Sequence, residues 1–308
     1  MNKEMLKNLI LITSERSGIN SVIIEKDYYV SLLLFELSKK QALLKAYFKG
    51  GTAVYKILNS LNRFSEDIDL TVFVDNSASN TSNRKRLKDS ALSYSVAGLD
   101  LDSKKTIDKK GSITSFYEYN SFFNITNEFN YVKVEATSFT LSDPIKICNI
   151  YSLIYKYATS EERVLLKEYG ITNFNIMCNS LERIFIDKIF AAQCYYERGS
   201  MKNFSKHIYD ICVLFKEKDI KKFLLDTSLL NEVVNIRKKE EINRLDSVNN
   251  FSLISNFEYL KNGLSIKEYL MFDKMQEEYI LGEDYKLSLN EINGILKDLL
   301  LIFKNSNN

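Results

Sequence analysis

The sequence has no tryptophan, one proline and one histidine in 308 residues. A single histidine, His207, excludes the zinc-hydrolase arrangements built on two or three histidines and leaves one imidazole for any triad. The four cysteines, Cys148, Cys178, Cys194 and Cys212, form no C-x-x-C pair and have no histidine ligand set nearby. They read as reduced thiols of a cytoplasmic protein. Long apolar runs are missing too: Leu9–Ile12 is too short for a signal or a span, and no other stretch reaches membrane length. There is no excess of one charge, since 42 basic and 40 acidic side chains leave a net +2. Any contact with nucleic acid must therefore come from a local patch. What remains, 45% apolar and 27% charged, is the composition of a globular chain with room for two domains or one large one. Chemistry here must rest on carboxylates, lysines and bound metal.

One stretch concentrates those groups. Lys49 to Val74 reads KGGTAVYKILNSLNRFSEDIDLTVFV: a glycine pair, a short amphipathic helix and an acidic strand. A strand points residues i and i+2 to one face, so Asp67 and Asp69 project together. Two adjacent carboxylates repel, and Mg²⁺, which takes oxygen ligands and bridges carboxylates to phosphates, offsets that repulsion. Gly50 and Gly51 allow close backbone approach to a ligand, and Thr52 starts a helix whose free N–H groups favour an anion. Ala53, Val54, Ile57, Leu58 and Leu61 give that helix a buried face. An isolated D-x-D motif favours the plainer reading, a turn followed by two aspartates exposed at a strand end, but the glycine pair, helix and acidic strand in sequence, with a third strand acid later, favour a site.

Helices are expected over residues 1–18 and, capped by Asn20 or Ser21, over IIEKDYYVSLLLFELSKK. The triplet Glu25, Lys26, Asp27 reads by default as a solvated helix start, the alternative being a brace for the active-site lobe. A helix from about Asn83 carries Arg84, Lys85, Arg86 and Lys88. With Lys104, Lys105, Lys109 and Lys110 these either form a phosphate-binding rim or simply solubilise the chain. Residues 113–125 and 130–139 read as an antiparallel strand pair. The second strand puts Lys133 and Glu135 on one face, and Glu135 is either a third metal carboxylate or an exposed edge residue. Near Pro144 strand signals fade, which sets the expected boundary between residues 1–145 and 146–308. Helical patterns follow at 148–158, 178–197, 204–217, 227–245, 253–261, 267–278 and 288–304. Lys188, on an apolar stripe with Leu181, Phe185 and Ala192, either snorkels or points into a cleft. Lys206 and Asp210 have the i,i+4 spacing of a surface ion pair.

Several of these segments together resemble the AbiEii/AbiGii toxin family, nucleotidyltransferase-like proteins of abortive-infection and type IV toxin–antitoxin systems related to the MenT toxins. IIEKDYYVSLLL resembles the family's N-terminal helix, FKGGTAVYKILNSLNRFSEDIDLTV its GGT…RFSEDIDL signature, and YVKVEATSF its third-acid strand. LERIFIDKIFAAQ, NFSKHIYDICVL and FDKMQEEYILGEDYKLSLNEIN are similar to its helical motifs and closing segment. The resemblance implies an α+β fold with two lobes: a polymerase-β-like nucleotidyltransferase lobe with a mixed sheet, and a helical lobe closing the active-site cleft. It implies that Asp67, Asp69 and Glu135 bind two Mg²⁺ ions. Gly50, Gly51, Thr52 and Ser65 would lie against a nucleoside triphosphate, Lys188 would contact its phosphates, and Asp210 would be the acid of the last motif. Lys206 replaces the usual arginine at a nucleotide contact, keeping charge but losing bidentate geometry. The implied activity is transfer of NMP from an NTP to RNA, particularly the tRNA 3′ end, in a phage-defence toxin. Its cognate antitoxin would act without forming a stable complex. Two other readings stay open: an NTP-binding module without transfer, and nucleotidyl transfer to protein.

Overall fold

The computed structural model describes residues 2–60, 62–123, 130–243 and 253–306. Leu61, the end of the first expected strand (124–125) and the end of one expected helix (244–245) lie outside the described residues. The chain divides into two compact units, Met1–Cys178 and Asn179–Asn308.

The first unit opens with two helices whose ends follow from local chemistry. α1 (Lys3–Ser17) is capped by the Asn2 side chain and stops at Gly18, which has φ +70. α2 (Ser21–Leu44) is capped by Asn20, whose side chain accepts from the Val22 N–H. Then come β1 (Ala46–Lys49), α3 (Gly50–Leu58), β2 (Ile68–Val72) and α4 (Asn80–Leu92). α4 starts three residues before the expected Asn83, because the Ser79 side chain accepts from the Ser82 N–H and caps it there. The strands β3 (Asp100–Leu101), β4 (Ile107–Lys109), β5 (Ser112–Glu118) and β6 (Tyr131–Thr137) follow. After them come β7 (Ile145–Ile150), α5 (Leu153–Tyr157), α6 (Ser160–Glu168) and β8 (Phe174–Asn179).

These strands form one mixed sheet in the order β3-β5-β6-β2-β1-β8-β7, with β4 paired to β5. β2 runs antiparallel to β1 and parallel to β6, while β5 and β6 are antiparallel. One face is apolar: Phe48, Ile68, Leu70, Val72, Ile113, Val132, Val134 and Ala136 are all buried, against α2 and α4. Alternation along β5 and the first six residues of β6 leaves most of the opposite face half-exposed, with Thr114, Lys133 and Glu135 on it.

The sheet corrects the expected boundary at residue 145. β7 and β8 lie beyond Pro144 and belong to the first unit. Residues 145–150, partly expected as helix, form an edge strand with Ile147 71% exposed, so burial there does not alternate and the strand signature is blurred.

The second unit is helical: α7 (Leu181–Glu197), α8 (Met201–Lys216), α9 (Lys218–Leu225), α10 (Thr227–Asn243), α11 (Glu258–Asn262), α12 (Ile266–Tyr279) and α13 (Leu289–Asn305). α8 packs on α7 and α12, burying Phe204, Ile208, Tyr209 and Ile211. The architecture is α+β, as expected. Among the described residues, no helix is long and apolar enough to cross a membrane.

Candidate active site

The polar face of the sheet gathers the acids of the opening motif. Asp69 pairs with Glu135 across the parallel β2–β6 ladder and with Lys49 across the antiparallel β1–β2 ladder. Directly paired residues point to the same side of a sheet, as do residues two apart, so Asp67, Asp69, Lys133 and Glu135 share this face. Lys133 Nζ lies 2.6 Å from Asp67 Oδ2 and 3.9 Å from Glu135 Oε2. Burial would lower the Lys133 pKa, but Asp67, Glu135 and Asp69 outweigh it and hold the ammonium above its ordinary value. These side chains are only half-buried: 27% of Lys133, 39% of Asp67 and 40% of Glu135 is exposed.

Gly50 fixes the aspartate next to it. It opens α3 at φ +83, and a Cβ built there would stand 2.1 Å from Asp69 Oδ2. Both the dihedral and the space disfavour a side chain there: an L-residue is strained at this φ, and the Asp69 carboxylate would have to move. The Asp69 carboxylate thus lies against the backbone at the N-terminus of α3. Thr52 is buried one turn in, and its hydroxyl is 3.0 Å from that of Ser65. Arg63, buried, donates to the Phe64 carbonyl and lies over the Tyr55 ring, tying the 62–67 loop to α3. Lys49 reaches the hydroxyls of Thr137 and Thr140, at 3.4 and 3.2 Å.

The triplet Glu25, Lys26, Asp27 is not a solvated helix start. Glu25 and Lys26 are 0% and 2% exposed. Glu25 accepts from the Ser121 hydroxyl and the Phe122 N–H, and burial, opposed by those bonds, raises its pKa. Lys26 donates to the Tyr131 carbonyl and pairs with Glu66 at 3.1 Å. Asp27 pairs with Lys56 of α3 at 2.5 Å and accepts from the Leu153 N–H. The triplet thus links α2 to the residue before Asp67, to α3 and to the start of α5. The mixed charge of EKD suggested a wetted surface, but each charge has a partner distant in sequence.

The basic residues near α4 are partly neutralised: Arg84 pairs with Asp108, Arg86 donates to the Phe73 carbonyl, and Lys105 pairs with Glu118 at 2.5 Å. Their ties favour a structural account of that cluster.

In the second unit, Lys188 of α7 and Asp210 of α8 form a buried pair, 2.7 Å apart, with Asp210 0% and Lys188 7% exposed. This replaces the surface ion pair expected between Lys206 and Asp210. Asp210 faces α7, and the Lys206 ammonium instead lies 3.7 Å from the centre of the Tyr279 ring. His207 stacks on Tyr195. Sequence reasoning missed a second buried network beside this pair. Arg183 bonds Asp187 at 3.0 Å and Glu240; Arg237 lies 3.2 Å from Asp187 and 3.5 Å from Glu240. The i,i+4 spacing of Arg183 and Asp187 and the i,i+3 spacing of Arg237 and Glu240 were the local signals for it.

The donor set on the sheet face suits a hard divalent cation: three carboxylates on adjacent strands, with a positive charge already seated among them. Among the described residues, no three His, Cys, Asp or Glu side chains converge on one point. Two of the three acids, Asp67 and Glu135, instead lie beside the Lys133 ammonium.

No curated protein matches the chain. A family model described as the nucleotidyl transferase AbiEii toxin of type IV toxin–antitoxin systems matches residues 32–298, a span that includes the acids of the sheet, the Gly50–Thr52 turn and the Lys188–Asp210 pair. The chain therefore belongs to the AbiEii family of nucleotidyltransferase-like type IV toxins.

Proposed function

We propose that the protein is a Mg²⁺-dependent nucleotidyltransferase that moves NMP from an NTP to RNA, with the tRNA 3′ end as acceptor. The observation that carries this reading is the register of β2 on β6, which puts Asp67, Asp69 and Glu135 on one face around a cation, beside the glycine-opened start of α3. An acceptor hydroxyl attacks the α-phosphorus, a new P–O bond forms, and the bond to the β-phosphate breaks to release pyrophosphate.

Asp67, Asp69 and Glu135 would hold the metal. Bound Mg²⁺ would activate the hydroxyl and stabilise the leaving pyrophosphate. Glu135, 40% exposed, acts as ligand or accepts the hydroxyl proton. At the start of α3, Gly50 and Gly51 leave room for phosphate oxygens, and free N–H groups there favour the anion. The Thr52 and Ser65 hydroxyls, already bonded to one another, re-orient to donate to it. Lys188 supplies a cation to the phosphates, and buried Asp210 positions it. Lys206 is a further nucleotide contact, a point charge where the family has a fork-shaped guanidinium. In the cell the product is growth arrest in phage defence, in the cytoplasm, countered by a cognate antitoxin that forms no stable complex.

The test is incubation with total tRNA, each α-³²P-labelled NTP and Mg²⁺. Label in RNA that is lost in Asp67→Ala is the expected result. NTP binding with no labelled product under any condition overturns transfer, and label on polypeptide would mean that protein is the acceptor.

A further inference from the structure

Lys133 has no place in the mechanism above, yet its ammonium is the positive centre of the catalytic face. One residue before the Ile68–Val134 pair of the β2–β6 ladder, Asp67 and Lys133 are neighbours, and Lys133 shares a strand face with Glu135. Its 2.6 Å contact with Asp67 and 3.9 Å approach to Glu135 place one cation against two of the three acids.

Two explanations compete. A structural ion pair should be buried and locked, as Lys188–Asp210 is in this chain. The Lys133 cluster is about a third exposed, and pairs so open to water add little to folding. An exchangeable counter-ion should be half-open, carried on a flexible stem and made of a group that a stronger cation displaces. Lysine meets all three requirements, whereas arginine's planar fork would bind carboxylates more durably.

We propose that Lys133 is a tethered counter-ion of the metal-binding carboxylates, occupying the cation position in the metal-free protein and yielding it to the divalent ion. This inference rests on the nucleotidyl-transfer reading of the site. Its consequence is a coupling of ligands. The protein alone holds divalent metal weakly, because the ion must displace the ammonium. An NTP that arrives with its metal brings phosphate oxygens as further ligands and negative charge to receive the displaced Lys133.

The experiment titrates Mn²⁺ into the protein and follows free Mn²⁺ by electron paramagnetic resonance, without nucleotide, for the wild type, Lys133→Met and Lys133→Arg. Removing a cation a few Å from the metal should tighten Mn²⁺ binding by roughly tenfold in Lys133→Met. Lys133→Arg should bind no more tightly than the wild type. Equal or weaker binding by a folded Lys133→Met overturns the inference while leaving the metal site intact. No Mn²⁺ uptake by either protein overturns both the metal reading and the inference.

A second measurement needs no destabilising variant. In wild-type protein with ¹³C-dimethylated lysines, the Lys133 signal, assigned by its loss in Lys133→Arg, should move to the position of a free exposed lysine when Mg²⁺ is added. A signal that stays in place at saturating Mg²⁺ overturns the proposal.

Discussion

The chain uses lysine–carboxylate pairs in two settings, on the open face of the sheet and within the helical unit. Lys133 and Asp67 are 2.6 Å apart, Lys188 and Asp210 2.7 Å. The distances are alike, but the surroundings differ: the first pair is partly in water, and the second is almost wholly removed from it. Water screens the first pair and offers each charge an alternative partner, so separating it costs little. In the second, either charge left alone would be stranded in a medium that does not solvate it. Binding chemistry suits the pair that separates cheaply, and positioning suits the pair that does not.

The sharpest way to break that contrast is to remove one partner from each buried set. Asp210→Ala strands Lys188, and Glu240→Ala leaves Arg183 and Arg237 to share the partly exposed Asp187; the first should lose about 3–5 kcal/mol in urea unfolding and the second less. The double change Lys188→Met with Asp210→Leu should recover most of the first loss, because a neutral core of similar volume has no charge to solvate. If Asp210→Ala melts like the wild type, the buried pair is not a buried charge pair at all.

Gly50→Ala should come next. The φ of +83 costs a non-glycine residue roughly 1–2 kcal/mol, and the added methyl group must also push Asp69 aside. Loss of stability and of nucleotidyl transfer should appear together, measured by thermal melting and by label in RNA. Asp67→Ala belongs lower on the stability scale, with a change under about 1 kcal/mol although transfer is abolished. A large stability loss in Asp67→Ala would erase the distinction between the two settings.

The smallest effect is one of pH. Burial raises the Glu25 pKa, so the folded state favours its protonated form. The stability this contributes is full below the ordinary glutamate pKa and is lost as pH rises through the raised folded value. Glu25→Gln should therefore gain on the wild type as pH climbs from mildly acidic to neutral, read as the difference in melting temperature between the two proteins. Parallel melting curves across that range would remove burial as the cause.

How much of this could be read from the sequence depends on the range of the interaction. The helix caps at Asn20 and Gly18, the alternation of β6 and the shared face of Asp67 and Asp69 are encoded within a few residues, and all were legible. The glycine pair read as a place of close backbone approach to a ligand with the helix starting at Thr52, whereas the helix starts at Gly50 and the group against it is the Asp69 carboxylate. Partners far apart in sequence were hidden. Alternation shows which way Lys133 points, but not that β2 is the neighbouring strand. The i,i+4 rule proposed Lys206 for Asp210, and a residue 22 positions upstream took the place instead. Glu25 and Lys26 read as surface because charged residues usually are, and each is buried because its counter-charge or hydrogen-bonding group arrives from another element.

The contact between Gly50 and Asp69 also bears on how this sequence can drift. A methyl group at residue 50 and a carboxylate at residue 69 claim the same space, so a side chain at residue 50 requires the acid to move, whereas the acid can be replaced while the glycine is kept. A descendant that lost the glycine would have to surrender or relocate the acid in the same step. The constraint runs one way, from the glycine to the acid, across nineteen positions of chain.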